Sequence, residues 1–271
     1  MTKVISFKIN GEKDEEIELP LVFSTPLRRD LIHKAWTNLN SHKFQRQGRH
    51  PTAGMDVVAD TNTPPTGQGI ARIARMQGGG GGRQGQAGEV ASTRGGRQAH
   101  PPNVNKIIYK KLNKKENKLA LCSAIAATSS KEQIKSRGHH VDEIESFPII
   151  VSNELETISK TSEISKVLDS LKLSKDVKRL NGRKPRSGQS LLRGRAKKIG
   201  KSVLFVTKED KNIKKACGAI PGVEARSVKD LSVLDLSPGS EPIRLTVYSK
   251  GAIEEIGKIQ STHLKLMEKT R

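Results

Sequence analysis

The stretch Val203-Leu-Phe-Val-Thr207 carries apolar residues at both odd and even positions. A strand with one buried face alternates polar and apolar residues, whereas a parallel strand covered by helices on both sides is apolar throughout. Similar runs occupy residues 147–151, 223–228 and 243–249. Helical patterns accompany them near residues 162–173, 210–217 and 252–268. The alternation predicts an α/β fold with an open, largely parallel sheet flanked by helices.

The N-terminal part of the chain extends this pattern. Residues 4–9 and 15–21 alternate with period two, which predicts two short strands joined by a turn at Gly11. A helix is expected next, with Thr25 as its N-cap and Pro26 at the first helical position. Both elements are therefore assigned to the same α/β body.

Residues 43–98 interrupt the periodic pattern. They hold 13 of the 24 glycines, eight Lys or Arg against three Asp or Glu, and no aromatic residue after Phe44. So little apolar surface cannot offset the entropy lost on ordering, and the segment is expected to be disordered alone. Helical periodicity returns at residues 106–127, which indicates an insertion within one domain. The predicted parts are the first part of the body (1–42), an extended basic loop (43–104) and the rest of the body (105–271).

The charge balance indicates the chemical class of the binding partner. Lys and Arg number 49 against 28 Asp and Glu, giving a formal net charge of +21 that needs a polyanion to offset its self-repulsion. Nucleic acid is favoured over a membrane, because no apolar run approaches the roughly 18 residues of a membrane span. The first ten residues lack the features of a signal peptide, so an intracellular protein is expected.

A second basic element lies at residues 172–201, with twelve Lys or Arg and a single Asp. Its densest parts are Arg183-Lys-Pro-Arg186 and Arg193-Gly-Arg195-Ala-Lys197-Lys198. Such a run alone can be a solubility patch or a localisation signal. Because it coincides with a separate basic loop, the two together indicate many dispersed phosphate contacts on a large polyanion.

The composition of the loop favours RNA recognition through backbone and shape. All but one of its cations are arginines, whose planar fork can hold a phosphate with two hydrogen bonds and can also stack on a base. Interleaved glycines allow the backbone to approach RNA closely. The lack of aromatic residues argues against base-stacking platforms such as RNP sheets or OB-folds.

Two glycine motifs suggest an enzyme but lack the required context. Gly80, Gly82 and Gly85 match G-x-G-x-x-G, yet they lie in a glycine run without a flanking strand and helix. The stretch Gly194 to Ser202 resembles a phosphate loop, but five residues separate its glycines where four are required. It also leads into a strand instead of a helix N-terminus. No catalytic residue and no cofactor are predicted.

The cysteines and histidines give no metal-binding pattern. Cys122 and Cys217 lie far apart with no Cys or His at ligand spacing, and both are expected to be reduced and buried. The adjacent His139 and His140 are expected to lie in a solvated loop. No metal site is predicted.

Several short motifs occur in the order of a known family. In the inserted loop they are Arg46-Gln-Gly-Arg49-His50-Pro51, Gly67-Gln-Gly69-Ile-Ala-Arg72-Ile-Ala-Arg75 and Arg94-Gly-Gly-Arg97-Gln-Ala-His100-Pro101-Pro102. Beyond it they are Asn113-Lys-Lys-Glu116-Asn-Lys-Leu119, Arg186-Ser-Gly188, Arg193-Gly-Arg195, Ile220-Pro-Gly222-Val223 and Leu236-Ser-Pro238-Gly239. Together they cover most of the chain and resemble the universal ribosomal protein L four family, large-subunit protein four, in its archaeal and eukaryotic branch.

The resemblance implies a structural protein of the large ribosomal subunit, with its body on ribosomal RNA and its loop helping to line the peptide exit tunnel. It implies large-subunit rRNA and neighbouring ribosomal proteins, including another tunnel-lining protein, as partners, with no membrane and no homo-oligomer. The implied rRNA contacts of the loop are Arg46, Arg49, Arg72, Arg75, Arg83, Arg94 and Arg97. Those of the body are Arg183, Arg186, Arg193, Arg195, Lys197 and Lys198. The implied tunnel-proximal tip contains Gly78, Gly82, Arg83, Gly85 and Gly88.

The chain departs from the family pattern in places. Family loops often carry aromatic residues where this chain has Thr61-Asn-Thr63-Pro-Pro65 and Gly85-Gln-Ala-Gly88-Glu89. The chain lacks the long basic tail of eukaryotic members, which favours an archaeal source. The alternatives are an RNA-binding regulator that acts on a messenger outside the ribosome, and an enzyme that uses the loop ending at Lys201.

Overall fold

The computed structural model describes residues 3–57, 59–60, 67, 69, 72–77, 82–197, 200–209, 211–240 and 243–269. The chain divides into two compact units, each described by itself. We call Met1–Asn40 with Lys111–Arg271 the body, and Ser41–Lys110 the loop unit.

The strands of the described residues form two sheets. They are β1 (Lys3–Phe7), β2 (Lys13–Glu18), β3 (Ala59–Asp60), β4 (Arg75–Met76), β5 (Ile149–Val151), β6 (Leu204–Thr207), β7 (Glu224–Ser227) and β8 (Thr246–Ser249).

The body is built on the larger sheet, whose strand order is β2-β1-β5-β8-β6-β7. Only β1 and β2 pair antiparallel, and Gly11 takes a positive φ of 83° in the connection between them. Every other pairing in this sheet is parallel, with Phe205 opposite Val247 and Ile150 opposite Tyr248. The predicted α/β class and largely parallel sheet are confirmed, with strands somewhat shorter than the apolar runs.

Helices connect the strands of the body. They are α1 (Arg29–Ser41), α2 (Lys114–Ala127), α3 (Lys131–Ser136), α4 (Thr161–Ser170), α5 (Ser174–Asn181), α6 (Gln189–Leu192), α7 (Lys211–Gly218), α8 (Val233–Leu236), α9 (Lys250–Gly257) and α10 (Thr262–Lys269). None of the helices in the described ranges has the length and apolar character needed to cross a bilayer.

The sheet separates two hydrophobic clusters. Ile150, Leu204 and Tyr248 point to one face, where α1, α2 and α9 cover them. Phe205 and Val247 point to the other face, where α4 and α7 cover them. Alternate residues of one strand thus enter different clusters, which explains why these strands are apolar at odd and even positions.

The predicted start of the first helix was wrong. Thr25 has extended backbone after a single 3-10 turn, and α1 begins at Arg29. The cause lies in α2, where the Ser123 hydroxyl donates to the carbonyl oxygen of Pro26 (3.0 Å) and accepts from the Arg28 N–H (2.7 Å). These bonds occupy the backbone groups that a longer helix would need.

The predicted helix over residues 106–127 was also too long, because α2 begins only at Lys114. Side chains bind the backbone groups just before α2: Asn38 donates to the carbonyl oxygen of Lys111 (3.3 Å), and the Lys110 N–H donates to the Ser41 hydroxyl (2.9 Å).

The single helix predicted over residues 252–268 is two helices, α9 and α10. The N–H groups of Lys258 and Ile259 make tight bonds to carbonyls three residues back, which ends α9.

Candidate nucleic-acid interface

The two limbs of the loop unit lie against each other. Gly54 has φ +82°, and a Cβ atom there would lie 2.6 Å from backbone atoms of Gly96 and Arg97. The Arg49 guanidinium donates to the carbonyl oxygen of Ala53 and to the Gln98 side chain (3.2 Å). Arg49 therefore ties the limbs together, and a close backbone contact explains the glycine at position 54.

Farther along the limbs, a short hairpin forms around Arg75. Strands β3 and β4 pair antiparallel, with Asp60 opposite Arg75. Arg75 also bridges to Ala87, and its Nη1 donates to the carbonyl oxygen of Gly85 (2.7 Å). The composition of residues 43–98 predicts no local structure, yet this segment contains an ordered pair of short strands, held by backbone hydrogen bonds and by the Arg75 side chain. These interactions do not depend on apolar side chains, so the hydrophobic pattern of the sequence does not predict them.

The remaining loop arginines have a different environment. Arg46, Arg72, Arg83, Arg94 and Arg97 are exposed, and within the described part of the chain no carboxylate pairs with them. Their positive charge is therefore available to an external anion.

The predicted loop tip is only partly described. Gly82 and Gly85 take positive φ values of 74° and 76°, with open space around their α-carbons. Gly88 is buried instead. It packs so closely that a Cβ atom there would lie 2.8 Å from the Ala59 side chain. Gly78 lies outside the described residues.

The basic segment of the body folds into a compact loop. The Arg186 N–H donates to the carbonyl oxygen of Ala196 (2.8 Å), and the Arg195 N–H donates to that of Ser190 (2.8 Å). Gly188 supplies the positive φ of 62° that begins α6. The loop exposes Arg183, Arg193, Arg195 and Lys197, whereas Arg186 is half-buried and Lys198 lies outside the described residues. Residues 182–200 contain no Asp or Glu, so this surface is purely cationic.

An arginine network lies beside this loop. Arg244 is fully buried and donates to the carbonyl oxygens of Ser202 (2.5 Å), Val203 (3.1 Å) and Gly222 (2.7 Å), and to Glu224 (2.6 Å). Burial lowers the pKa of Arg244, and the neighbouring Glu224 opposes that shift. The sequence motifs did not point to Arg244, because a lone arginine before a strand carries no local signal.

Further arginines reinforce the positive field at this end of the body. Burial, together with the nearby Arg244, Arg179 and Arg183, lowers the pKa of Arg137 to about 10, so it keeps its charge at neutral pH. Arg179 donates to Asp176 (3.0 Å), the only acid of residues 172–201. The cationic loop, residues 182–200, is thus next to several further guanidinium groups of the body.

His139 corrects an expectation from the sequence. It is buried, whereas only His140 is exposed as predicted. His139 Nδ1 lies 3.0 Å from Asp176, and the Ser202 hydroxyl donates to the same carboxylate (2.5 Å). The carboxylate separates the serine from the histidine and all three are buried, so the group is a structural network and not a nucleophilic triad.

The protonation states of this pair follow from its partners. Burial lowers the pKa of His139, and its Nε2 accepts the Leu245 N–H (3.4 Å), which requires a neutral ring with its proton on Nδ1. Burial opposes ionisation of Asp176, but hydrogen bonds from His139, Ser202 and Arg179 outweigh it and lower the pKa of Asp176 below its ordinary value.

A pH dependence of stability follows. Because the pKa of His139 is lower in the folded chain, the unfolded chain takes up more protons as the pH falls below about 6.5. The free energy of unfolding should decrease from pH 7 to 5.5, and less so in His139→Asn, which keeps a donor toward Asp176. Urea unfolding at both pH values tests this, with His140→Asn as the exposed control. Equal pH dependence in His139→Asn and the parent would contradict it.

The usual ligand position of an α/β fold is filled by the chain itself. Open parallel sheets bind ligands beyond the carboxyl ends of their strands. There, Glu156 accepts the Ser249 hydroxyl (2.6 Å) and the Lys208 N–H (2.9 Å), and Asn153 accepts the Gly251 N–H (2.7 Å). In the stretch Gly194 to Ser202, which resembles a phosphate loop, the Lys201 ammonium pairs with Glu224. At these two places the Lys208 and Gly251 N–H groups and the Lys201 ammonium, which could otherwise hold a nucleotide phosphate, already bind acceptors of the chain itself.

The comparisons with known proteins lead to one family. The model of the ribosomal protein L4/L1 family matches residues 17–259. Three archaeal relatives carry the description large ribosomal subunit protein uL4. That of Archaeoglobus fulgidus is 42% identical over 257 residues (94% of this chain, 98% of the relative), and that of Methanocaldococcus jannaschii 40% over 255 (94% and 98%). The relative from Sulfurisphaera tokodaii is 41% identical over 254 residues (93% and 92%).

Proposed function

The chain belongs to the ribosomal protein L4/L1 family, and we propose that it works as a structural, non-enzymatic component of the large ribosomal subunit in the cytoplasm. One observation carries the RNA-binding role: two separate surfaces present arginines and lysines without carboxylate partners among the described residues. A polyanion of the size of ribosomal RNA matches both surfaces.

The loop unit has two kinds of arginine in this proposal. Arg49 and Arg75 are bonded to loop backbone, so they shape the loop. Arg46, Arg72, Arg83, Arg94 and Arg97 reach outward and contact the rRNA. The segment 43–104 threads into folded rRNA, and its tip, which includes Gly78, Gly82, Gly85 and Gly88, helps to line the peptide exit tunnel. Glycines with positive φ allow close turns there without side chains that would obstruct the path.

The body docks through its cationic loop. Arg183, Arg193, Arg195, Lys197 and Lys198 contact phosphates, and Arg186 orients the loop from its half-buried position. Other large-subunit proteins are neighbours, among them another protein that lines the tunnel. Arginine is suited to these sites because its fork holds a phosphate with two bonds.

Co-sedimentation tests the assignment. The endogenous protein should stay with large ribosomal subunits in stoichiometric amount through a high-salt sucrose cushion, because a loop enclosed by RNA is not released by competition from salt ions. Release into the supernatant would contradict an integral role and favour the alternative of a messenger-binding regulator. A peripheral RNA-binding protein with a similar net charge serves as the control that salt removes.

A further inference from the structure

The base of the loop unit contains an aromatic cluster that the sequence pattern hides. The rings of His42 and Tyr109 lie 5.6 Å apart at an angle of 51°. The Arg46 Cζ atom lies over the Tyr109 ring, 6.0 Å from its centroid. The two rings are 67 residues apart in sequence, so the aromatic-poor composition of residues 43–98 gave no indication that they meet.

Backbone bonds hold this cluster in place. His42 Nε2 donates to the carbonyl oxygen of Lys110 (3.1 Å), and the Lys110 N–H donates to the Ser41 hydroxyl (2.9 Å). The segment next to Tyr109 is therefore fixed to the opposite limb through both its N–H and its carbonyl group. A side chain carried on backbone that is ordered before binding loses less entropy when a partner stacks on it.

The cluster is open to solvent together with other apolar side chains. Tyr109 is 43% exposed, Phe44 57% and Ile107 86%. Of these three, Tyr109 is the one in contact with His42 and Arg46, so it offers the flat exposed face of the cluster. Hydrogen bonds hold the His42 ring and the backbone of Lys110, next to Tyr109, so the exposed position of the cluster belongs to the folded unit.

The charge around the rings indicates the kind of partner. Residues 41–55 and 99–110 contain no Asp or Glu, and their cations are Lys43, Arg46, Arg49, Lys106 and Lys110. A partner must therefore combine negative charge with a flat apolar face. An unpaired nucleotide offers both, since its base stacks on an aromatic ring while its phosphate meets a cation.

We propose that Tyr109, with His42 and Arg46 beside it, forms a stacking site for an unpaired base of ribosomal RNA. The Tyr109 ring provides the stacking face, and the Arg46 guanidinium, already positioned over that ring, binds the phosphate next to the base. This inference rests on the proposed rRNA-binding function and adds a contact to a base, where the arginines elsewhere in the loop contact phosphates.

The test compares two RNA hairpins that differ in one base. One carries a bulged adenosine, and the other has an abasic ribose at the same position, so both present the same phosphates. The full-length protein should bind the bulged hairpin about 5- to 150-fold more tightly at physiological salt. Tyr109→Leu should lose this preference but retain its affinity for the abasic hairpin. Tyr109→Phe, which keeps the ring, should behave as the parent, and so should Ile107→Ala.

The outcomes separate this inference from the proposed function. Equal and tight binding of both hairpins by the parent would overturn the stacking site, leave RNA binding intact and direct attention to a protein partner for the exposed rings. A preference that survives in Tyr109→Leu would also overturn it. Weak, salt-insensitive binding of both hairpins would instead contradict the RNA-binding function on which it rests.

Discussion

Replacing Arg244 with Met should lower the free energy of unfolding by about 3–5 kcal/mol. The side chain is fully buried, and its removal takes one donor from the carbonyl oxygens of Ser202, Val203 and Gly222 and one from Glu224, which keeps its pair with Lys201. Each buried acceptor that loses its partner keeps its desolvation cost, so the loss exceeds that of the hydrogen bonds alone. Urea unfolding of the full-length protein, followed by circular dichroism, measures the difference.

A matched control separates burial from charge. Arg226→Met removes an arginine whose ion pair with Asp235 (3.3 Å) is 38% exposed on the arginine side. Water replaces that partner at little cost, so a much smaller loss is expected. Equal losses in the two variants would show that the Arg244 network contributes no more than a surface pair.

The sheet was predictable because its signal is local. Each parallel strand is buried on both faces, so runs such as residues 203–207 and 243–249 reveal it without knowledge of their neighbours. Helix ends were less predictable. Ser123 fixes the start of α1 from more than 90 residues away, and no capping pattern near Thr25 records that contact.

For the candidate surfaces, too, contacts between residues distant in sequence could not be predicted. Density of charge pointed to the two basic segments, because charge adds up along a short window. The sequence does not distinguish Arg49, which braces the limbs, from Arg94, which reaches solvent, since only the folded loop gives them different neighbours. His139 was misassigned for a related reason: its partner Asp176 lies 37 residues away and is the one acid in a basic segment.

The exposed loop arginines should dominate the salt dependence of RNA binding. Each phosphate contact contributes about 0.7 to 0.9 to the slope of log affinity against log salt concentration. Changing Arg72, Arg83, Arg94 and Arg97 together to Gln should therefore make the slope shallower by about 3. Between about 50 and 200 mM salt, the parent should lose on the order of 50- to 150-fold more affinity than the variant. Titration of large-subunit rRNA with the full-length protein at several KCl concentrations measures both slopes.

A second variant with the same loss of charge tests whether position matters. Lys3, Lys8, Lys135 and Lys258 are exposed on the body, and each already pairs with a carboxylate. Changing these four to Gln removes four positive charges but no expected phosphate contact, so the slope should stay near that of the parent. If both variants flatten the slope equally, net charge alone governs binding, and the loop arginines have no special contact with RNA. A change confined to the loop variant means that the arginines with no carboxylate partner among the described residues are those that contact phosphates.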